Sequence, residues 1–571
     1  MTFWIRPPLP RRALRLCLSL SLSLSLSLAA ATAADAPIEL PPLEVVADTV
    51  TAKPWRYAAY AGGEVLSRLS DSATREFLEA HHRLQQVVAQ VLPASLQGRR
   101  AVPDILILTP RGAGGGLSKE LVARAAAEHA QHQPATPDPV DGLQAGRQIR
   151  IFDNLRLNDI DSTVVYAVID EFSFHGATFQ FTPDQLAFLV GSRVPRLPEW
   201  FTTGILALFQ EAKFTGDTIA FGRAQWAPRA EAESIAARPD SSPPLLPMHE
   251  ILERPCPPAE GATLAAAQKW RAQAALFVRW MIESEPRRAP LWSLATRAAE
   301  GPLDEALCRQ ITGLDYLALS AQLSEYVRPA MLRDGLKIKA PKLEPSPSLA
   351  LRDATALESA RIRGDWERLE VNWVRARQPR FLDQYVAQAR RTLTQAHDRG
   401  ERAPALLAVL GLLHCDLGDD AAALPFLEAA VAARVVRPRA YLELARIRYL
   451  AALKNPQGGN RLLSSAQVNV VLEPFKTGFD QAPPLLESCR LIAEAWSHST
   501  ATLGPAQLAL CDRALGFFPR DPALLYNVAA IKIFHGQTAE ATTLLRRGLA
   551  LSDTPATKAR FEKMLTSLAA Q

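Results

Sequence analysis

The residues with the clearest chemical spacing lie around two adjacent carboxylates, Asp170 and Glu171. Apolar residues recur beside them at helical spacing, at Val165, Val168, Ile169 and Phe172. This pattern predicts a helix, on which Asp170 and Phe174 share a face because they are four residues apart. A zinc-binding helix carries two histidines at this spacing, with a general-base glutamate directly after the first. Glu171 has the position of that base, whereas Asp170 and Phe174 stand in place of the histidines.

A second predicted helix follows in the segment LPEWFTTGILALFQ, residues 197–210. Together the two segments resemble gluzincin-type peptidases of the peptidase MA-like superfamily, in particular a family of secreted bacterial proteins of unknown function. In that family the first helix reads roughly H-E-Y-x-H-H. The second reads P-x-W-[LF]-x-E-G-x-A-x-[YF], and its Glu is the third zinc ligand. The second pattern is matched at Pro198, Trp200, Phe201, Gly204, Ala207 and Phe209, with Thr203 at the Glu position.

The resemblance covers about residues 55 to 330. It implies an α+β fold for residues 54–334, in which a small sheet-bearing lobe precedes a helical gluzincin-like domain. Within the lobe, the sequence itself predicts a strand in GEVLSRLS, a helix in ATREFLEAHHRLQQVVAQVLP and a buried strand in VPDILILTP.

Replacement of all three ligand positions predicts a groove that holds no metal and no cofactor, because zinc needs three protein ligands. We expect no catalytic residue, with Glu171 as a relic of the base. The groove candidates are His175, Glu199 and Trp200. The alternative is an active metallopeptidase, or another hydrolase, with a displaced site around Asp170, Glu171 and His175.

The first 33 residues have the pattern of a signal peptide. They contain four arginines and no acid, ahead of the apolar run LCLSLSLSLSLSLAAA. Without them, the 64 basic residues fall to 60 against 59 acidic residues, so the net charge falls from +5 to +1. We therefore expect a secreted or periplasmic protein with no nucleic-acid partner and no membrane span after cleavage. Residues 34–53 read as an unstructured lead-in.

The remaining five cysteines are widely spaced, with no C-x-x-C pair. In an oxidising compartment, Cys489 and Cys511 are the first pair to consider for a disulfide. The alternative, favoured for most of the five, is single buried thiols.

Residues 335–352 are predicted to be a linker, because Pro341, Pro345 and Pro347 disfavour a helix. Beyond it, residues 353–571 show a 34-residue period typical of tetratricopeptide repeats, with an interruption at NPQGGN. The period is carried by Leu407, Leu410, Gly411, Gly418, Ala423, Leu427 and Ala430, then by Tyr441, Leu444 and Ala445. A later pair of units is in phase at Ala495, Ala514 and Pro519, then at Leu525, Ala529, Gly536, Ala541 and Leu545. An irregular helical bundle is the alternative.

Such repeats stack into an all-α solenoid that binds a protein or peptide segment. The sequence therefore predicts an interaction or scaffold protein, in which a metal-free, inactive peptidase-like domain is joined to a protein-binding helical array.

Overall fold

The computed structural model describes residues 53–570 with internal gaps. The gaps are 61, 99–100, 111–152, 172–185, 188–189, 211, 216–217, 223, 225–243, 259–262, 333–335, 340–348, 378 and 553. Residues Lys53–Gln571 form one compact unit that combines β-sheets with many helices, so the predicted α+β class is confirmed. The signal peptide and lead-in predicted for residues 1–52 lie outside the described residues.

The main sheet is built in the first part of this unit and has the strand order β4-β5-β3-β2-β1-β9. Strands β2, β3 and β5 run parallel, and β1, β4 and β9 pair antiparallel at the two sides. The predicted strand, helix and strand of the small lobe are confirmed as β2, α1 and β3. The elements are β1 (Arg56–Tyr60), β2 (Gly63–Ser67), α1 (Asp71–Val91), β3 (Asp104–Pro110), β4 (Asp153–Asn158) and β5 (Thr163–Ile169), with β9 (Arg352–Asp353) later in the chain.

The helix predicted around Asp170 is wrong for residues 163–169, which form the central strand β5. This strand is covered on both faces, and six of its seven residues are buried. A strand buried on both sides reads as a continuous apolar run rather than an alternating one. Its periodicity therefore cannot be distinguished from that of a buried helix. The β-branched residues Val164, Val165 and Val168 favour the strand.

Helices dominate the middle of the unit and share one continuous core with α1 and one face of the sheet. Gly204 lets the second predicted helix, confirmed as α2, lie directly on α4, since a Cβ there would come within 2.3 Å of Val278 Cγ2. A small antiparallel sheet, β6-β7-β8, lies beside these helices. The elements are α2 (Glu199–Gln210), β6 (Lys213–Thr215), β7 (Thr218–Phe221), α3 (Met248–Leu252), α4 (Leu264–Glu283), α5 (Glu285–Glu300), α6 (Glu305–Thr312), α7 (Tyr316–Leu332) and β8 (Leu336–Lys339).

From residue 356 onward the described chain is helical, and its close hairpins of successive helices include α8 with α9, α10 with α11 and α17 with α18. The repeat positions meet between paired helices: a Cβ on Gly411 would come within 2.7 Å of Leu427, and Ala445, Ala529 and Ala541 are fully buried. The helices are α8 (Ala356–Arg377), α9 (Leu382–Asp398), α10 (Pro404–Asp416), α11 (Asp420–Ala432), α12 (Pro438–Lys454), α13 (Ser465–Leu472), α14 (Phe475–Gly478), α15 (Leu486–Ser497), α16 (Pro505–Phe517), α17 (Pro522–Phe534), α18 (Thr538–Ala550) and α19 (Pro555–Ala569).

Segment 335–352 does not separate two independent cores, contrary to the linker prediction. Its β8 pairs with β7, and Arg352 begins β9, which pairs with β1. Helix α8 then covers the second face of the main sheet. Ile362, Trp366 and Leu369 of α8 form one buried cluster with residues of β2 to β5. A sheet needs apolar cover on both faces when its central strands are parallel, and α8 supplies one of the two covers.

Candidate functional site

The predicted carboxylate pair lies at the end of β5 instead of on a helix. Glu171 accepts a hydrogen bond from the backbone N–H of Ser70 (3.0 Å), and its Oε1 lies 3.6 Å from Lys53 Nζ. Ser70 is the N-cap of α1, and its hydroxyl accepts from Ala73 N–H. A carboxylate at a helix N-terminus is stabilised by the free N–H groups there. Glu171 therefore ties the end of β5 to the start of α1.

The predicted groove residues on α2 take part in packing and hydrogen bonding within the fold. Trp200 is buried and makes edge contacts with the rings of Phe201 and Phe277, so it belongs to the core instead of a groove. Glu199 is exposed and accepts a hydrogen bond from the backbone N–H of Cys256 (3.0 Å). Thr203 is half-buried.

The predicted groove between two zinc-type helices is not formed at residues 163–169, because these residues are a strand. Phe174 and His175 lie outside the described residues. Within the described ranges, no group of three His, Cys, Asp or Glu side chains could hold a metal ion. In the same ranges no helix is both long and apolar enough to cross a bilayer.

The structure instead brings charge together at the turn between β4 and β5. The turn is closed by the Asp159 N–H, which donates to the carbonyl of Ser162 (2.8 Å). The side chains of Asp159 and Asp161 are 4% and 0% exposed. Both project into the helical array formed by α8 to α19, as their partners show.

Three arginines of the array bind this turn. Asp159 accepts from Arg368 Nη2 (2.6 Å), Arg437 Nη2 (3.2 Å) and Arg439 Nη1 (2.9 Å). Asp161 accepts from the backbone N–H of Arg439 (2.8 Å), and its Oδ1 lies 3.2 Å from Arg437 Nε. One short turn of the sheet is therefore held by residues from α8 and from the start of α12.

Two further aspartates of the array complete what we call the arginine–aspartate cluster. Asp365 of α8 accepts from Arg368 Nε (3.0 Å) and Arg437 Nη1 (2.9 Å). Asp416, at the end of α10, accepts from Arg368 Nη1 (2.7 Å) and from Arg439. Buried charges are tolerated when such additional hydrogen bonds satisfy them, and removal of one partner is then strongly destabilising. The cluster members are Asp159, Asp161, Asp365, Arg368, Asp416, Arg437 and Arg439.

The pKa values of the cluster carboxyls are shifted in different directions by their surroundings. Burial alone would raise the pKa of Asp159, but the charges of Arg368, Arg439 and Arg437 hold it below its ordinary value. For Asp161, burial outweighs the charge of Arg437 and raises the pKa, and the nearby Asp159 adds to the rise. The pKa values of the two carboxyls in the turn are therefore shifted in opposite directions.

A second acidic pair, Glu367 and Glu370, lies on α8 between the sheet and α9. Burial raises the pKa of Glu370 well above its ordinary value, and the neighbouring Glu367 carboxyl raises it further. Burial also raises the pKa of Glu367, although contacts with Thr392, Gln388 and Arg363 oppose this rise. Both groups therefore favour the uncharged form more than an exposed glutamate does.

An open groove of about 380 Å³ lies between the first half of α8 and the second half of α9. The helices touch at Gly364, where a Cβ would come within 2.2 Å of Leu393 Cδ2. Beyond that contact, small side chains on α8 and α9 leave space between the helices, at Ala356, Ser359, Ala360 and Ala396. The cationic side chains of the groove wall are Arg363, Arg391 and Arg399.

The sequence analysis predicted neither the arginine–aspartate cluster nor the Glu367–Glu370 pair. Asp159 and Asp161 stand in the turn LNDIDST, and Asp365, Arg368 and Glu370 interrupt an apolar face of α8 in GDWERLEVNW. Charged residues at the core-facing positions of a helix are the signal that could have revealed a buried polar network, because such residues are rarely buried unless paired.

The five described cysteines are free thiols, so the disulfide considered for Cys489 and Cys511 is absent. Both thiols are buried in one apolar cluster, in agreement with the alternative prediction of single buried thiols. Burial raises the pKa of each to about 12. The reactive thiolate is therefore scarce at neutral pH, and these cysteines behave as core residues.

Comparison with known proteins gives no match, either to a protein-family model or to a curated protein.

Proposed function

We propose that this protein is a secreted or periplasmic interaction protein that binds a partner through its helical array and does not hydrolyse peptides. The observation that carries the proposal is the helical array from α8 to α19 with its hairpins, the first of which leaves an arginine-walled groove open to solvent. Stacked helical hairpins commonly present an extended surface to a protein or peptide.

The contacts inside the array support a tetratricopeptide-type solenoid. Helices α10 and α12 begin at Pro404 and Pro438, 34 positions apart. Gly418 and Gly536 have positive φ angles of 78° and 71° at equivalent hairpin turns, a conformation that glycine adopts without strain. Small residues lie where paired helices approach, as such repeats require.

The first part of the chain serves in this proposal as a rigid base for the array. Its proposed resemblance to peptidase MA-like proteins is supported by α2 and by the order of the helices after it, and not by the first motif, which falls partly on β5. Glu171 accepts a hydrogen bond from the N–H of Ser70, the N-cap of α1, which gives this carboxylate a structural role. The base and the array meet in the arginine–aspartate cluster, so the array is held in one orientation.

A hydrolysis assay tests the non-catalytic part of the proposal. Purified protein, with and without added zinc, is incubated with fluorescently labelled casein beside its Glu171→Gln variant. We expect no hydrolysis above buffer for either protein, and no zinc retained after dialysis. Hydrolysis by the wild type that Glu171→Gln abolishes would establish a displaced catalytic site and overturn the proposal.

A further inference from the structure

We propose that the groove between α8 and α9 binds an acidic peptide segment of a protein partner, with Arg363, Arg391 and Arg399 as the recognition residues. This inference rests on the proposed function and assigns the chemistry of the partner.

The shape of the groove fits a ligand. Its volume of about 380 Å³ lies within the range of roughly 300–1,000 Å³ typical of ligand pockets. The space results from the sequence, because Ala356, Ala360 and Ala396 stand where larger apolar residues would close the helix pair.

The charge of the groove selects an anion. Arg391 and Arg399 are exposed, and neither forms an ion pair within the described part of the chain. Arg363 lies 3.4 Å from Glu367, whose raised pKa reduces the negative charge available to neutralise it. Glu401 is the acid among the lining residues, so the arginines exceed it in number.

The polar groups of the groove suit carboxylates in particular. Gln388, Thr392 and Gln395 add amide and hydroxyl donors between the arginines. A guanidinium group binds a carboxylate through two parallel hydrogen bonds, which makes arginine more selective than lysine for this group. The same array already binds a carboxylate of its own chain in this way, since Arg446 Nη1 and Nη2 donate to the two carboxylate oxygens of Asp420 (3.2 and 2.6 Å).

The spacing of the arginines favours a peptide over a small anion. Arg391 lies on α9 and Arg399 is the C-cap of this helix eight residues later, which corresponds to roughly 12 Å along the helix axis. An extended chain covers that distance in about four residues. A peptide with acidic side chains at that interval can therefore reach both arginines, whereas an ion such as phosphate reaches one.

Fluorescence anisotropy tests the assignment on the full mature chain. The probe is a fluorescein-labelled peptide with Glu at every fourth position and Ala or Ser between, and its matched control has Gln in place of Glu. We expect the Glu peptide to bind and the Gln peptide to bind at least roughly tenfold more weakly, because charge-assisted hydrogen bonds are lost.

Charge reversal locates the binding. Arg391→Glu should weaken binding of the Glu peptide by roughly tenfold or more. Arg390→Glu makes the same change at the adjacent exposed residue, which does not line the groove, and should bind as the wild type does. Ala356→Trp fills the groove from an exposed position without a change of charge and should also reduce binding.

Three results would overturn the groove assignment. They are no binding of the Glu peptide by the wild type, equal losses in Arg391→Glu and Arg390→Glu, and Arg391-dependent binding to anionic lipid vesicles in place of the peptide. None of them bears on the proposed function itself, which fails through Glu171-dependent hydrolysis of casein.

Discussion

At the scale of single residues, Glu171 and Trp200, which were expected in a relic catalytic groove, have hydrogen-bonding and packing roles in the structure. Glu171 accepts the N–H of Ser70, and Trp200 packs against Phe277. The strongly interacting charged residues lie elsewhere, in the arginine–aspartate cluster and in the Glu367–Glu370 pair. Their energetic roles differ, because the cluster is paired with counter-charges whereas Glu370 is buried beside another acid.

Arg368→Met should lower the free energy of unfolding by about 3–5 kcal/mol, because it leaves Asp159, Asp365 and Asp416 without their shared counter-charge. Urea unfolding monitored by circular dichroism measures the change. Arg390→Met removes an exposed guanidinium and serves as control, with a change within about 0.5 kcal/mol. Similar losses in both variants would contradict the importance of the cluster.

Glu370→Gln should stabilise the protein at neutral pH. The pKa of Glu370 is raised in the folded state, so above the unfolded pKa of about 4.3 the folded chain binds more protons. Stability therefore falls as pH rises from that value towards the folded pKa, by about 1.4 kcal/mol for each unit by which the pKa is raised. Glutamine remains uncharged and removes this loss.

Thermal unfolding across the pH range measures the effect, with Glu562→Gln on the exposed face of α19 as control. The Glu370→Gln variant should gain most at the highest pH. An equal gain at every pH would show that folding does not raise the pKa of this carboxyl.

At the scale of elements, the sequence predicts a segment well when that segment packs mainly on its neighbours in the chain. It predicts a segment poorly when the covering elements are distant in sequence. Helices α10 to α12 follow from a 34-residue spacing, because each hairpin packs mainly on its sequence neighbours. Strand β5 could not be distinguished from a helix, since both faces of its apolar run are covered by elements distant in sequence, α1 and α8. The buried cluster was equally beyond local patterns, because it joins Asp159 to Arg437, 278 residues away.

Gly411→Ala should destabilise the array although alanine favours helix by about 0.5–1 kcal/mol. The added Cβ would come within 2.7 Å of Leu427 Cγ, and Leu427 is itself fully buried. Overpacking of this kind costs about 1–3 kcal/mol. Gly516→Ala provides the matched control, because no atom lies within 4 Å of its added Cβ.

The midpoint of urea unfolding should fall for Gly411→Ala and rise slightly for Gly516→Ala. If both variants gained stability, the close contact between α10 and α11 would be wrong.

At the scale of the whole molecule, residues Lys53–Gln571 form one unit because α8 belongs to two structures at once. One face of α8 covers the main sheet through Trp366, and its Gly364 packs against α9. Fragment 353–571 alone would expose Ile362, Trp366 and Leu369 and would lose the acidic turn that neutralises Arg437 and Arg439.

We therefore expect fragment 353–571 to be markedly less stable than the same residues in the full chain, and to bind the apolar dye ANS. Circular dichroism and dye fluorescence measure both properties. A fragment as stable as the full chain and without dye binding would restore the view of 335–352 as a simple linker.

We propose that the helical array binds the partner and that residues 53–334 do not. Hydrogen-exchange mass spectrometry of the full mature chain with the Glu-containing peptide distinguishes the two parts. We expect the peptide to slow amide exchange in the first half of α8 and the second half of α9, and to leave the exchange rates of α2 and the end of β5 unchanged. Protection confined to α2 and the region around Glu171 would show that the array is not the binding site.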